Sequence, residues 1–384
     1  MKASHVDGVR LAAVASAVPS SAVSLEDDAK VFGTEEMVKI SQSTGIARRH
    51  VARRGICTSD LCVAAAERLF AENPTWRKTV DATILVTQTP DYYFPASSCS
   101  VHSRLRLQQD CAAFDVNLGC SGYTYGMWMA SHLISSGAAS RVLLLAGDTA
   151  SQSVGCKDRA TRPIFGDGGT ASIVEASPSA SRMWFRHGTD GSGQNHILAA
   201  AGAFRLPRSP LTEVATTHDD GNDRSLNDGY MNGPEVFLFT LSCVPRLLKT
   251  TLADASWSLE DVDAIVLHQA NAFMLKHVAK NMKIPADKLP LSLGEYGNTS
   301  SASIPITMTT QLPEKLASGK KRLVLAGWGV GLSWCSVALE VENVVLPPMV
   351  EVDCQALFDQ LTNSESEEAS HIPLSVRRVM RGTL

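Results

Sequence analysis

Three residues in this 384-residue sequence have the side-chain types and settings that reactive chemistry requires: Cys120, His268 and Asn298. Cys120 lies in Asp115-Val-Asn-Leu-Gly-Cys-Ser-Gly-Tyr-Thr-Tyr-Gly-Met-Trp-Met-Ala, which reads as a buried strand running into a helix with the cysteine at the junction. Ala112 to Leu118 mixes apolar and small residues as an interior strand does, Gly119 and Gly122 permit a tight turn, and the helix is predicted to run to about Ser136. The first-turn NH groups of such a helix lack intrahelical partners, and its dipole favours thiolate over thiol, so a lowered pKa and a nucleophilic role are expected. His268, in Leu267-His-Gln-Ala-Asn271, falls at the C-terminal end of a strand, where open α/β sheets meet their ligands. Asn298 falls in Gly294-Glu-Tyr-Gly-Asn-Thr-Ser-Ser-Ala-Ser-Ile-Pro305, a run too rich in glycine and serine to be core. Taken singly, these are a packing cysteine, a satisfied histidine and a turn asparagine. Their conjunction supplies a nucleophile and two hydrogen-bonding partners.

An internal repeat is what would bring them together. Val80-Asp-Ala-Thr-Ile-Leu-Val matches Val262-Asp-Ala-Ile-Val-Leu, and Ser136-Gly-Ala-Ala-Ser-Arg-Val-Leu-Leu-Leu-Ala-Gly matches Ser318-Gly-Lys-Lys-Arg-Leu-Val-Leu-Ala-Gly. Asp81 precedes Arg141 by 60 positions and Asp263 precedes Arg322 by 59. Each half closes on a strand, Thr170 to Glu175 and Cys335 to Glu340. In such a duplication the ends of equivalent strands converge, so Cys120 from one half and His268 from the other face one cavity. Apolar strands such as Ile84 to Thr87 and Val142 to Leu145 suit a sheet covered on both faces. Helices are predicted over 59–71, 234–252 and 272–282. The segment 179–232, rich in Gly, Ser, Asp and Asn, reads as a loop-rich excursion with a turn over 188–195. After Pro347-Pro348, the charged runs Glu365 to Glu368 and Arg377-Arg378 predict a solvated, frayed tail.

Composition excludes several classes. With 44% hydrophobic and 19% charged residues this is an ordinary globular chain, and a net charge of -4 argues against nucleic acid or an anionic membrane as partner. No run approaches 18 consecutive apolar residues, so no membrane span is expected, and Leu11 to Val18 reads as a first strand rather than a signal-peptide core. Nine scattered cysteines without a C-x-x-C pair predict a reducing, cytoplasmic setting with neither a disulfide framework nor a zinc site.

Four ordered runs, around Cys120, Ile164-Phe-Gly-Asp-Gly-Gly, His268-Gln-Ala-Asn and Gly297-Asn-Thr-Ser-Ser, together resemble β-ketoacyl-ACP synthase III, a condensing enzyme of the thiolase superfamily. The resemblance spans roughly residues 8–345. It implies an α/β, thiolase-like fold with internally duplicated β/α halves in a layered αβαβα arrangement: residues 1–178, the excursion 179–232, residues 233–345 and an extension 346–384. It also implies a Cys120-His268-Asn298 triad and an oxyanion hole from the backbone NH groups of Cys120 and Val330. The implied reaction is decarboxylative condensation of an acyl thioester with a malonyl thioester. Passage of the acyl group to an alcohol or amine without condensation is the alternative. Substrates and partners are then coenzyme A thioesters, an acyl carrier protein and a second copy of the chain in a homodimer, with no metal or redox cofactor.

Around the site the resemblance implies substrate contacts at Phe94, contributed across the dimer, and at Ala150, Arg159, Phe165 and Trp328. Ala150 stands where a larger apolar residue is common, which should lengthen the acyl tunnel, and Trp328 replaces a phenylalanine, which should narrow the approach to Cys120. Lys39 and Ser43 occupy the positions of the family's Trp and Arg that clamp adenine, and Phe273 that of its carrier-docking basic residue, with Lys276 and Lys280 as replacements for docking.

Overall fold

The computed structural model describes residues 1–363 and 371–381. In chain order the main strands are β1 (Lys2–Val6), β2 (Val9–Pro19), β3 (Ala82–Val86), β4 (Ala112–Val116), β5 (Arg141–Asp148), β6 (Gly168–Ala176), β7 (Met183–Thr189), β8 (Ala264–Leu267), β9 (Lys320–Gly329), β10 (Ser333–Glu342) and β11 (Val350–Val352). They form a six-stranded sheet, β11-β2-β6-β5-β3-β4, and a five-stranded sheet, β1-β7-β10-β9-β8. The helices used below are α1 (Thr34–Thr44), α2 (Thr58–Glu72), α3 (Gly122–Ser135), α4 (Gly233–Ala255), α5 (Ala272–Met282), α6 (Ser303–Gln311), α7 (Cys354–Asn363) and α8 (Leu374–Met380). α3 and α6 touch both sheets and form the middle layer, α2 covers the outer face of the first sheet, and α4 covers that of the second. The layered αβαβα arrangement is therefore present.

The duplication extends to hydrogen bonds. Ala82 on β3 pairs with Val142 on β5 in parallel, and Ala264 on β8 pairs with Leu323 on β9 in the same way. Asp81 Oδ2 accepts the backbone NH of Arg141 at 3.0 Å, and Asp263 Oδ2 accepts that of Arg322 at 2.8 Å. Each aspartate thus pins the start of its central strand pair. Because both faces are covered, Ile84, Leu144, Val266 and Leu325 are fully buried, as continuous apolar strands require.

The predicted helices form with small changes at their ends. Asn271 caps α5 by accepting the Met274 NH at 2.8 Å, and Asn232 caps α4 by accepting the Glu235 NH at 3.3 Å. α4 is long and apolar enough to cross a membrane, yet its Thr240, Val244, Leu247 and Leu248 are buried.

Four expectations are corrected. β4, read as an interior strand, lies at the edge of its sheet with Ala112 exposed and the next four residues half-buried. The excursion 179–232 contains β7, which is wedged between β1 and β10 with Met183 and Phe185 buried, so the second sheet draws two strands from sequence before residue 233. The predicted turn over 188–195 begins only after Thr189, in a 3-10 turn at Gly191–Gly193. The tail is also structured where it is described. β11 pairs with β2 in parallel, and Cys354, Phe358, Leu361 and Ile372 form a small core with Ala52 and Ile56. Arg377, expected in a frayed segment, is buried in α8; Glu365 to Glu368 lie outside the described residues.

Candidate active site

Cys120 follows β4 and immediately precedes the helix junction. The Gly122 NH donates to the Gly119 carbonyl at 2.6 Å, closing the turn. The turn is closely packed: a Cβ on Gly119 would displace the Gln88 side-chain end, 2.0 Å from its Oε1, and one on Gly122 would lie 2.4 Å from Val86 Cγ1. From the second half, the end of β9 presses on the same residue: a Cβ on Gly329 would lie 2.9 Å from Cys120 Sγ. His268 continues β8, its NH donating to the Ala326 carbonyl at 2.9 Å. Asn298 is tied to the strand-like segment before β6, its NH donating to the Ile164 carbonyl at 2.9 Å and its carbonyl accepting the Gly166 NH at 3.1 Å. Cys120, His268 and Asn298 are 9%, 2% and 6% exposed.

The three residues meet on the short segment Asn298 to Ser303. The Ser300 NH donates to Asn298 Oδ1 at 2.9 Å, which leaves Nδ2 as the free end of the amide. His268 Nδ1 lies 2.8 Å from Ser303 Oγ at the start of α6. Ser300 acts on both other residues: its hydroxyl side lowers the proton affinity of Cys120, and its backbone raises that of His268. Ser300 adopts φ 51°, the left-handed conformation that turns these groups toward separate partners.

Electrostatics differ from the local expectation at Cys120. Burial pushes its thiol up to about 11, with repulsion from Asp148 adding to the rise; the Ser300 hydroxyl and the backbone NH groups of Val330 and Cys120 pull the other way. Desolvation therefore outweighs the helix end, and the unliganded residue is a thiol. Val330 and Cys120 are the two residues whose backbone the family resemblance assigns to an oxyanion hole, and both act on this thiol. Burial holds His268 far below its usual value, at about 3, with the Ser300 backbone opposing, so the imidazole is neutral at physiological pH.

The outer contacts are distributed differently. Trp328 is buried, donates through Nε1 to Thr240 Oγ1 of α4 at 2.9 Å, and meets the His268 ring edge-on at 5.7 Å, so it packs against the imidazole. Phe165 is half-buried and its backbone bridges to Asn298. Ala150 begins a 3-10 turn whose Ser151 and Gln152 line a cleft of about 410 Å³ with Arg54, Cys156 and Arg162; none of the triad lines that cleft. Arg159 Nη2 donates to the Asp220 carbonyl at 3.0 Å and its Nε lies 3.9 Å from Glu36 on α1, the helix carrying exposed Lys39 and Ser43. Phe94 is 78% exposed. Lys276 and Lys280 are exposed on α5, where Phe273 packs on His277 at 4.2 Å and on Phe237 at 5.3 Å. Sequence reading missed Ser300, Ser303 and Asp148. Both serines lie inside the run read for Asn298 alone, and the usable signal for Asp148 was a carboxylate closing an apolar strand.

Comparison with known proteins agrees with this fold. The family described as 3-oxoacyl-[acyl-carrier-protein (ACP)] synthase III matches residues 114–191, and its C-terminal counterpart matches residues 252–341. The β-ketoacyl-[acyl-carrier-protein] synthase III of Clostridium tetani is 31% identical over 328 residues, 85% of this chain and 97% of its own length. The β-ketoacyl-[acyl-carrier-protein] synthase III 3 of Streptomyces coelicolor is 35% identical over 332 residues, 86% and 96% of the two lengths. A crystal structure of a 3-oxoacyl-(acyl-carrier protein) synthase from Burkholderia xenovorans has a TM-score of 0.86 at 38% identity, covering 91% of this chain and 99% of that one. With the duplicated fold and the site built across its two halves, these matches show that the chain belongs to the 3-oxoacyl-[acyl-carrier-protein] synthase III family of thiolase-like condensing enzymes.

Proposed function

We propose that the chain catalyses decarboxylative condensation of an acyl thioester with a malonyl thioester, with Cys120 as nucleophile and His268 and Asn298 as the enolate-stabilising pair. Sγ attacks the acyl carbonyl, and the backbone NH groups of Cys120 and Val330 hold the developing oxyanion. The carrier thiol departs and leaves an acyl-cysteine. A malonyl thioester then loses CO2, and its carbonyl oxygen, now enolate, is hydrogen-bonded by His268 Nε2 and Asn298 Nδ2. The carbanion attacks the acyl-cysteine carbonyl and releases Sγ.

The observation that carries this reading is the shared anchoring of the triad on Asn298 to Ser303. The Ser300 NH on Oδ1 orients the amide with Nδ2 outward. The ring proton of neutral His268 has two possible environments: the Ser300 backbone, or Nε2 with the Ser303 hydroxyl donating to Nδ1. Only the second leaves a donor for the enolate. A lone acyl-transfer enzyme has no use for two neutral donors at that point, which favours condensation.

Coenzyme A thioesters and an acyl carrier protein are the proposed donors, with Arg159 and the exposed Lys276 and Lys280 as contacts. A homodimer is supported by the edge strand β4, beside which Phe114 and Val116 are only partly buried, and by exposed Phe94. Substrate contacts at Phe94, Ala150, Phe165 and Trp328, and the cytoplasmic setting, belong to the same reading. The test is mass spectrometry of intact wild type and Cys120→Ser after incubation with acyl-CoA and acyl-carrier thioesters, followed by malonyl thioester with CO2 measured. Acyl mass on the wild type only, discharged with CO2 release, is expected. Acyl mass discharged by alcohols or amines without CO2 would replace condensation with simple transfer.

A further inference from the structure

The two halves of the chain touch at Cys120 through a hairpin. Gly329 ends β9, Ser333 begins β10 and the two are register partners, so Val330, Gly331 and Leu332 form the connection between them. The end of β9 lies on the nucleophile: a Cβ on Gly327 would lie 2.5 Å from the Cys120 carbonyl oxygen and 2.9 Å from Ser121 Cα, and one on Gly329 would lie 2.7 Å from Cys120 Cβ. Leu332 is tied to the excursion, its NH donating to the Asp190 carbonyl at 3.0 Å and its carbonyl accepting the Asp190 NH at 2.8 Å. Val330, whose NH the proposed reaction needs, is held by side chains instead.

Ser333 Oγ donates to the Val330 carbonyl at 2.8 Å. A carbonyl oxygen can only accept, so this contact uses the one proton of the Ser333 hydroxyl. Ser121 Oγ lies 2.7 Å from Ser333 Oγ. With the Ser333 proton committed, Ser121 donates at this contact and Ser333 accepts. The result is a directed chain, Ser121 hydroxyl to Ser333 hydroxyl to Val330 carbonyl, running from the residue after the nucleophile in one half to the hairpin of the other. Both serines are buried, and the Ser121 carbonyl accepts the Tyr125 NH at 3.2 Å, which anchors the start of the chain to the first turn of α3.

We propose that Ser333, oriented by Ser121, is the positioning residue of the oxyanion hole: its hydroxyl sets Val330 against Cys120 so that the NH groups of both residues address one oxygen. This rests on the reading of Cys120 as acyl-accepting nucleophile with those two NH groups as the hole. The acyl carbonyl oxygen becomes negative twice, when Sγ attacks and when the carbanion attacks the acyl-cysteine, so both steps depend on where the Val330 NH stands.

The test is single-turnover acylation by acyl-CoA, and condensation from pre-acylated enzyme, in Ser333→Ala, Ser121→Ala and the double variant. Ser333→Ala takes the donor from the Val330 carbonyl. It is expected to lower the maximal acylation rate by roughly 10²-fold, the scale of a misplaced catalytic group, with the half-saturating acyl-CoA concentration unchanged, because the hole acts on charge that develops in the transition state. Condensation should slow as well, whereas loss of an enolate donor would slow condensation alone. Ser121→Ala leaves Ser333 donating to Val330 and is expected to cost about three- to tenfold, the net worth of one neutral hydrogen bond. Because Ser121 acts through Ser333, the double variant should be no slower than Ser333→Ala. A wild-type maximal rate in Ser333→Ala, a loss seen only as a raised half-saturating concentration, or losses that multiply in the double variant would overturn the proposal. If Ser333→Ala does not fold, Ser121→Ala decides: a fall in maximal rate at constant half-saturation supports the proposal and a wild-type rate overturns it. Wild type that forms no acyl-Cys120 would instead overturn the nucleophile reading beneath it.

Discussion

At the scale of single residues, the proposed reaction uses groups kept neutral at rest as donors to charge that develops later. Asn298 illustrates the division: Oδ1 is occupied by the Ser300 NH, so the amide contributes through Nδ2 alone. Asn298→Ala should leave acylation of Cys120 intact and slow condensation by the equivalent of about 3 kcal/mol, the usual loss for one such donor. Single-turnover acylation and CO2 release, measured separately, check this; equal loss in both steps would make the residue structural. His268 gives a pH dependence of definite sign. Its folded value, about 3, lies below the usual 6.5, so the unfolded chain binds a proton that the folded one refuses. Its contribution to stability is complete above about 6.5 and is lost as pH falls toward 3. Urea midpoints should fall over that window in wild type and fall less in His268→Gln. Identical slopes for the two proteins would contradict a neutral buried imidazole.

At the scale of elements, the C-terminal segment packs on the loop that leads through Ala52 to Asp167. Phe358 on α7 is buried, carries the Arg53 guanidinium over its ring at 3.6 Å, and packs against Gly55, whose added Cβ would lie 2.8 Å from the ring. The Ala52 NH next to this contact donates to Asp167 Oδ2 at 2.7 Å, and Asp167 also accepts the Ser151 NH at 2.9 Å. The tail is thereby connected to the turn that carries Ala150. Phe358→Ala should cost about 3–5 kcal/mol of local packing, as large aromatic truncations do, and should be read by thermal unfolding and by hydrogen exchange over 51–57. A melting temperature and exchange pattern equal to wild type would mean that α7 is only laid on the surface.

At the scale of the whole molecule, an edge strand and a group of aromatic side chains are uncovered among the described residues. β4 ends a sheet, and Tyr93, Phe94 and Phe204 project into solvent, with Tyr93 and Phe204 rings 5.6 Å apart. Aromatic groups of this size are enriched at interfaces. Under the dimer reading, Phe94→Ala should weaken association in sedimentation experiments and also shift acyl-chain preference, because one side chain serves both. A chain that sediments as a monomer with unchanged activity at high dilution would remove that role.

Much of this organisation was legible in the residues themselves. The repeat is legible because Asp81 and Asp263 each perform the same backbone-capping task beside equivalent strands, so both halves preserve the same short runs. α5 was read to its ends because apolar spacing and the Asn271 cap are local signals. Cys120, His268 and Asn298 each read as structural when taken singly; they were singled out by four ordered runs that resemble one family, and the structure brings Asn298 and His268 onto one segment, Asn298 to Ser303. β7 was not legible, because a strand flanked by glycine and serine is defined by partners from β1 and β10, far away in sequence. The tail was read as solvated from its charges, yet Arg377 is buried in α8. Cys120 shows the limit most clearly: the helix end favours a thiolate, and the sequence by itself determined that a cysteine would stand there. Only the tertiary structure decided its state, because desolvation by surrounding chain and the charge of Asp148 raise the thiol, while Ser300 pulls it down from the opposite half. Local preferences act over a few residues, whereas burial and proton partners depend on whatever distant segments the fold packs around a group.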